Sequence, residues 1–412
     1  MTEKTFSGYE IFVVAILTIL QFTLILDFMV LSPLGPFLMP DLKITTQQFG
    51  MVVSAYAFSA GLSGILAAGF ADRYDRKKIL IFFYSGFIAG TLFCGIATTY
   101  PLLLTARIVT GIFGGVIGSV NLAIITDLFR IEKRGRVMGF VQMAFASSQV
   151  LGLPLGLYFA NLWGWHSPFI MIVLVSLVVM GAIIFNLKPI DEHLKIKSRK
   201  NAFRHLAHTA SNTVYLKTFA ATTLLATGGF MMMPFGTVFG VNNLKISPES
   251  LPLLYTVTGT SSMFLGPLIG KLTDRWGKYP TFLSGSILMT FIVVIYCNLS
   301  ATPLWIVMMM NVIMFAGITA RMISSQALLS AVPEQSDRGA FMSVNSSVQQ
   351  ISGGIAAYAA GLIVVQSPSG ELLHYDMLGY VVAVTIFITI SLFWFVNQRV
   401  MEKITMVAAP AH

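Results

Sequence analysis

Gly270-Lys271-Leu272-Thr273-Asp274-Arg275-Trp276-Gly277-Lys278 is a short charged turn between two long apolar runs, one ending near Ile269 and one beginning near Thr281. Ala68-Gly69-Phe70-Ala71-Asp72-Arg73-Tyr74-Asp75-Arg76-Lys77 repeats it in the same kind of context. Asp72 and Asp274 lie 202 residues apart in a chain of 412. A charged turn used twice between apolar runs implies a duplicated membrane protein. Working outward, Arg134-Gly135-Arg136-Val137-Met138-Gly139 is matched by Arg338-Gly339-Ala340-Phe341-Met342-Ser343. Phe28-Met29, followed by Pro33 and Gly35, is echoed by Phe230-Met231, followed by Pro234 and Gly236.

Composition agrees. Hydrophobic residues make up 56% of the chain and charged residues 10%, against roughly 25% charged in a soluble domain. Apolar segments fall at 11–38, 47–70, 79–98, 102–128, 137–160 and 167–187, then at 216–239, 251–270, 281–298, 304–330, 340–365 and 377–397. Each is long enough to cross about 30 Å of hydrocarbon. The expected fold is an all-α integral membrane protein of twelve transmembrane helices in two parallel-repeat six-helix bundles. Residues 1–188 form the first bundle, 189–214 a cytoplasmic linker and 215–412 the second bundle. Like-oriented halves put a transport path at their interface, near the bilayer midplane.

The net charge of +9 invites a nucleic-acid reading, which its distribution excludes. Of 26 Lys and Arg, all but Lys43, Lys245, Arg107 and Arg321 fall on one side of the spans. That bias makes both termini cytoplasmic in an inner (plasma) membrane, as an even span count requires. Glu3 and Glu10 spoil a basic n-region, so the first span stays in the membrane. Cys94 and Cys297, in different halves, are read as buried thiols. The connector carries Lys195, Lys197, Arg199, Lys200 and Arg204 with His193, His205 and His208. It tethers the halves and suits an anionic inner leaflet; its loosely spaced His lack a carboxylate cluster, so no metal is expected.

The G-x-L-x-D-R-x-G-K turn at 270–278 resembles the signature loop of the major facilitator superfamily between spans 2–3 and 8–9, and the resemblance covers essentially the whole chain. The first copy departs from the pattern at Ala68 and Asp75, where that family usually has glycine. The resemblance implies that Asp72, Arg73, Arg76, Asp274, Arg275 and Lys278 form a conformational latch. Asp72 at a span end can meet an arginine or a helix N-terminus, so Asp72 and Arg76 are expected to hold an inside-closed state. Arg107-Ile-Val-Thr-Gly111 is similar to the R-x-x-x-G motif of the drug/proton antiporter branch. Gly152-Leu-Pro154-Leu-Gly156 looks like a shortened form of the antiporter Gly-Pro motif. Pro154 would kink its span; Gly111, Gly152 and Gly156 let helices approach closely.

Charges within the spans narrow the chemistry, because each is costly and faces a cavity or a partner. Asp27 is the one carboxylate deep within a span, and Arg107 reaches its depth from span 4. A carboxylate that alternates between an arginine and a wet cavity changes proton affinity with conformation, so Asp27 and Arg107 are the expected proton-coupling pair; a static helix–helix ion pair is the alternative. The second half has Gly229 at the repeat position of Asp27 and Asn311 at that of Arg107, which leaves it for substrate. Arg321 either faces the cavity and favours an acidic group or snorkels to the cytoplasmic surface. Tyr56, Asn121, Gln142, Gln149, Gln326 and Asn345 are the further cavity candidates, and Met231–Met233 and Met308–Met310 offer adaptable surface. Asp127 is expected to pair with loop cations.

These readings converge on a monomeric secondary carrier, without cofactor, whose partners are a small-molecule substrate, protons and the lipid bilayer. Proton-coupled efflux of small amphipathic compounds comes first; an organic-anion or lysolipid transporter, by uniport or proton symport, is the alternative. A membrane enzyme would need clustered chemistry at one depth, and all six His lie in loops or the tail.

Overall fold

The computed structural model describes residues 6–70, 74–191, 194, 208–334 and 337–408. Its twelve long helices are α1 (Gly8–Val30), α2 (Thr46–Phe70), α3 (Arg76–Gly95), α4 (Tyr100–Leu128), α5 (Ile131–Ser147, continued through a π turn at Ser148–Gly152 into Leu153–Trp163) and α6 (Ser167–Asn186). The second set is α7 (Thr213–Met232), α8 (Leu251–Trp276), α9 (Lys278–Cys297), α10 (Leu304–Leu329), α11 (Arg338–Ile363) and α12 (Tyr375–Ala408). A two-residue hairpin, β1 (Val365–Gln366) antiparallel to β2 (Leu372–Leu373), joins α11 to α12.

Local sequence explains the ends. Ser7 and Glu10 form a reciprocal capping box at the start of α1, which satisfies two orphan N–H groups. Pro101, Pro168 and Pro252 open α4, α6 and α8, where the missing N–H costs nothing. Gly277 ends α8 at φ +98° with its N–H bonded to Thr273 O, and α9 begins one residue later. Only glycine reaches that conformation cheaply, so the second glycine of the opening motif makes the reversal. Asp75, the departure in the first copy, caps α3: its Oδ1 accepts from Lys77 N at 2.7 Å and from Ile190 N at 3.2 Å.

Two apolar segments prove interrupted. The first stops at Val30, turns through 31–34 and resumes as a short helix, Gly35–Leu42; the seventh turns through 233–235 and resumes at Gly236–Asn242. Pro33 and Pro234 cannot continue the hydrogen-bond ladder, and each breaks its helix. Among the described residues, ten of the twelve long helices are long and apolar enough to cross a membrane. The other two, α8 and α11, have 26 residues each and carry many Ser, Thr, Asn and Gln. Both pack against the opposite half, which shields that polarity from lipid.

The halves meet along α2–α11 and α5–α8. At the face away from the termini, Thr46 Oγ1 donates to Val364 O at 2.6 Å, Asn161 Nδ2 donates to Pro248 O at 3.1 Å, and Phe49 meets Phe235 at 5.8 Å. Farther down, a Cβ on Gly259 of α8 would lie 2.7 Å from Gln149 O in the π turn of α5. The repeat closes on itself at α1 and α7: Phe28 meets Phe230 at 5.8 Å, and Ser32 Oγ donates to Met233 O.

Candidate functional site

Asp27 on α1 and Arg107 on α4 are both fully buried. Arg107 Nη1 donates to Asp27 Oδ2 at 2.8 Å and approaches the Asp27 carbonyl at 3.4 Å. Thr91 Oγ1, from α3, donates to the other carboxylate oxygen at 3.1 Å. The Tyr56 ring of α2 lies over the guanidinium, 4.5 Å from ring centroid to Cζ. Four helices of one bundle thus converge on a single charge pair. Arg107 Nε is buried without a hydrogen-bond partner among the described residues.

The R-x-x-x-G spacing has a local cause. Gly111 sits one turn beyond Arg107, and a Cβ there would fall 2.5 Å from Tyr56 O. Its absence lets α2 and α4 touch through their backbones, which lays Tyr56 on Arg107. On α5, a Cβ on Gly152 would meet Leu26 Cδ1 at 2.7 Å and one on Gly156 would meet Val30 Cγ2 at 3.3 Å; both glycines seat α1, the helix bearing Asp27. Between them Pro154 follows the π turn, whose Leu153 N–H reaches back to Ser148 O.

An aromatic run leads from the pair to the other half. Phe28 meets Tyr56 at 5.4 Å and Phe230 at 5.8 Å. Tyr56 is 5% exposed, so in this conformation it screens Asp27 and Arg107 rather than lining open space. A small polar cavity of about 60 Å³ lies between α2, α4 and α11, lined by Gly61, Gly64, Gly115, Ser119, Ser343 and Gln350 among others. None of the sequence candidates borders it. The signal was the stripe Ser343, Ser346, Ser347, Gln350 on α11, spaced as one helix face; Thr91 gave no such signal.

The remaining candidates divide. Asn121 Nδ2 bonds Leu17 O at 3.4 Å and Gln21 Oε1 at 3.2 Å, which ties α4 to α1. Asn345 Oδ1 accepts from Thr222 Oγ1 at 2.7 Å, which ties α11 to α7. Gln149 is buried in the π turn, whereas Gln142 and Gln326 are exposed. Arg321 does not snorkel: it is 5% exposed and its guanidinium rests over Phe282, 5.8 Å to the centroid. Of the latch residues, Asp72 and Arg73 lie outside the described residues. Arg76 is buried and pairs with Asp127 at 2.9 Å, within one bundle, as expected of Asp127. Asp274 and Arg275 are exposed at the end of α8, and Lys278 is half-buried at the start of α9.

A family model described as Major Facilitator Superfamily matches residues 17–357 and 218–405. The chain is 31% identical over 269 residues to the uncharacterized MFS-type transporter YceJ of Bacillus subtilis (strain 168), covering 64% of this chain and 67% of that protein. Multidrug resistance protein 2 of the same organism is 23% identical over 255 residues, 60% of this chain and 63% of that one. Among solved structures, a bacterial homologue of the human lysosomal transporter Spinster, inward-facing and occupied, superposes with a TM-score of 0.76 at 15% identity, covering 97% of this chain and 99% of that chain.

Proposed function

This chain belongs to the major facilitator superfamily, a family of transporters rather than enzymes, and on that premise we propose that it is a proton-coupled antiporter exporting small amphipathic compounds. The observation that carries the reading is the Asp27–Arg107 pair, sealed from solvent inside the first bundle. A charge pair held there is expensive, and a merely structural contact between α1 and α4 is made more cheaply by apolar side chains. Binding a proton on Asp27 cancels its charge and frees Arg107 to stay with the Tyr56 ring; losing it restores the pair. The two protonation states therefore favour different packings of α1 against α4, which is the bias a rocking carrier needs.

The charge asymmetry of the loops supports a plasma-membrane protein with its terminus-bearing face in the cytoplasm. In this conformation the halves are joined at the far face, where Thr46 meets Val364 and Phe49 meets Phe235. The signature turns at 68–77 and 270–278 serve as the latch of the opposite, inside-closed state. Asp72→Asn is expected to slow turnover with little loss of folded protein, and unchanged turnover would remove the latch. A relative called a multidrug resistance protein supports varied amphipathic cargo.

A second reading, an organic-anion or lysolipid transporter, is favoured by Arg321, buried without a carboxylate partner among the described residues. Flux in proteoliposomes separates the two. Cationic, neutral and acidic fluorescent amphiphiles are loaded and a pH gradient is imposed in either direction. Gradient-driven movement of protons against the cargo supports antiport, whereas co-movement or indifference to the gradient overturns it.

A further inference from the structure

The second bundle holds its own buried guanidinium, and no carboxylate among the described residues pairs with it. Arg321 on α10 is 5% exposed, and its Nε and Nη2 have no hydrogen-bond partner. Its neighbour on α7 is Gly228, where a Cβ would lie 4.0 Å from Nη1 and 3.4 Å from Thr385 Oγ1 of α12. Gly228 precedes Gly229, the repeat position of Asp27. Where the first bundle sets a carboxylate opposite its arginine, the second has two glycines in a row. Gly229 is exposed, and no atom lies within 4 Å of a Cβ built there. A second orphan lies on α9: Ser286 Oγ is buried without a partner, one turn from Phe282 on the same helix face. Below the guanidinium, Ala221, Phe282, Leu328, Leu329 and Phe393 form an apolar cluster that keeps it from the surface.

A lone buried cation is among the most unfavourable arrangements a bundle can hold, and a paired one is not. We propose that Arg321 is the anchor of an anion site between α7, α9, α10 and α12, filled by a single carboxylate or phosphate carried on an apolar body. The acidic end sits beside Gly228, where Thr385 Oγ1, Arg321 Nη1 and Val382 Cγ1 are the nearest groups, 3.4–4.0 Å from where a Cβ would lie. Arg321 supplies a planar pair of donors suited to two acid oxygens, the Ser286 hydroxyl stands on the neighbouring helix, and the apolar portion stays beside the half-buried Phe230. The proposal rests on the carrier reading only in taking this anion to be cargo.

The test is equilibrium binding in phosphatidylcholine nanodiscs with no gradient, so failure of proton coupling and failure of this site read out separately. Two probes are used: dansylglycine against its uncharged twin dansylglycinamide, and a fluorescent lysophosphatidate against the matching uncharged monoacylglycerol. Wild type should bind at least one acid about tenfold or more tighter than its neutral twin, as a buried charge-assisted contact requires. Which acid binds distinguishes a free amphipathic acid from a lysolipid. Arg321→Gln should erase the preference and Arg321→Lys retain part of it. Gly228→Asp, which builds the missing carboxylate into α7, should also erase it while leaving the neutral twin unaffected. Retention of the preference in a folded Arg321→Gln protein, or its absence for both pairs in wild type, overturns the site.

Discussion

A charge placed inside an apolar helix has to be answered by something, and the two halves answer it differently. Asp27 is answered by Arg107 at 2.8 Å and by Thr91 at 3.1 Å. Removing one partner leaves the other charge buried and alone, so Arg107→Gln should destabilise the protein by about 3–5 kcal/mol. Joining it to Asp27→Asn should recover most of that loss, because no charge is then stranded. Thermal denaturation of the two singles and the double in nanodiscs checks this; additive losses would contradict the pairing. Asp27 and Arg107 were legible in the sequence because a charge in such surroundings is conspicuous. Thr91 was not, since helix hydroxyls ordinarily bond their own backbone, as Thr110 Oγ1 does to Ala106 O. Nor did composition reveal that Tyr56 covers the pair instead of lining an open cavity.

At the scale of the helix, glycines decide which elements touch. A side chain at Gly111 would press on the Tyr56 backbone, with Tyr56 O 2.5 Å and Tyr56 Cα 3.0 Å from the new Cβ. Gly111→Val should therefore cost about 1–3 kcal/mol as an overpacked contact and lift Tyr56 from Arg107. Gly139→Ala on α5, whose Cβ would meet nothing within 4 Å, is the control and should leave melting unchanged or slightly raised. Gly259→Val presses on the π-turn backbone instead, so it should slow turnover by separating α8 from α5. Equal melting of the Gly111→Val and Gly139→Ala proteins would refute the close approach. The prolines that break α1 and α7 were visible in sequence, but their effect on otherwise apolar segments was not drawn from hydropathy. Hydropathy also undervalues α8 and α11, because it assumes lipid on all sides of a helix that the opposite half covers.

For the molecule as a whole, duplication was readable from turns and aromatics at matching offsets, and Phe28 does meet Phe230 across the interface. Which face would be closed was not readable, since both states use the same sequence. Phe49 and Phe235 join the halves at the far face, so replacing both with cysteine and bridging them should arrest transport, with recovery on reduction. The native Cys94 and Cys297 are buried and should contribute little background. Full turnover in the bridged protein would mean that the halves need not part there. Exchange of the coupled proton at Asp27 is read out in vesicles holding a trapped pH indicator, with wild-type and Asp27→Asn proteins at equal density. Outward movement of cargo should drive proton entry in wild type and none in Asp27→Asn, although the variant still binds cargo; proton entry at the wild-type ratio in Asp27→Asn would contradict the account.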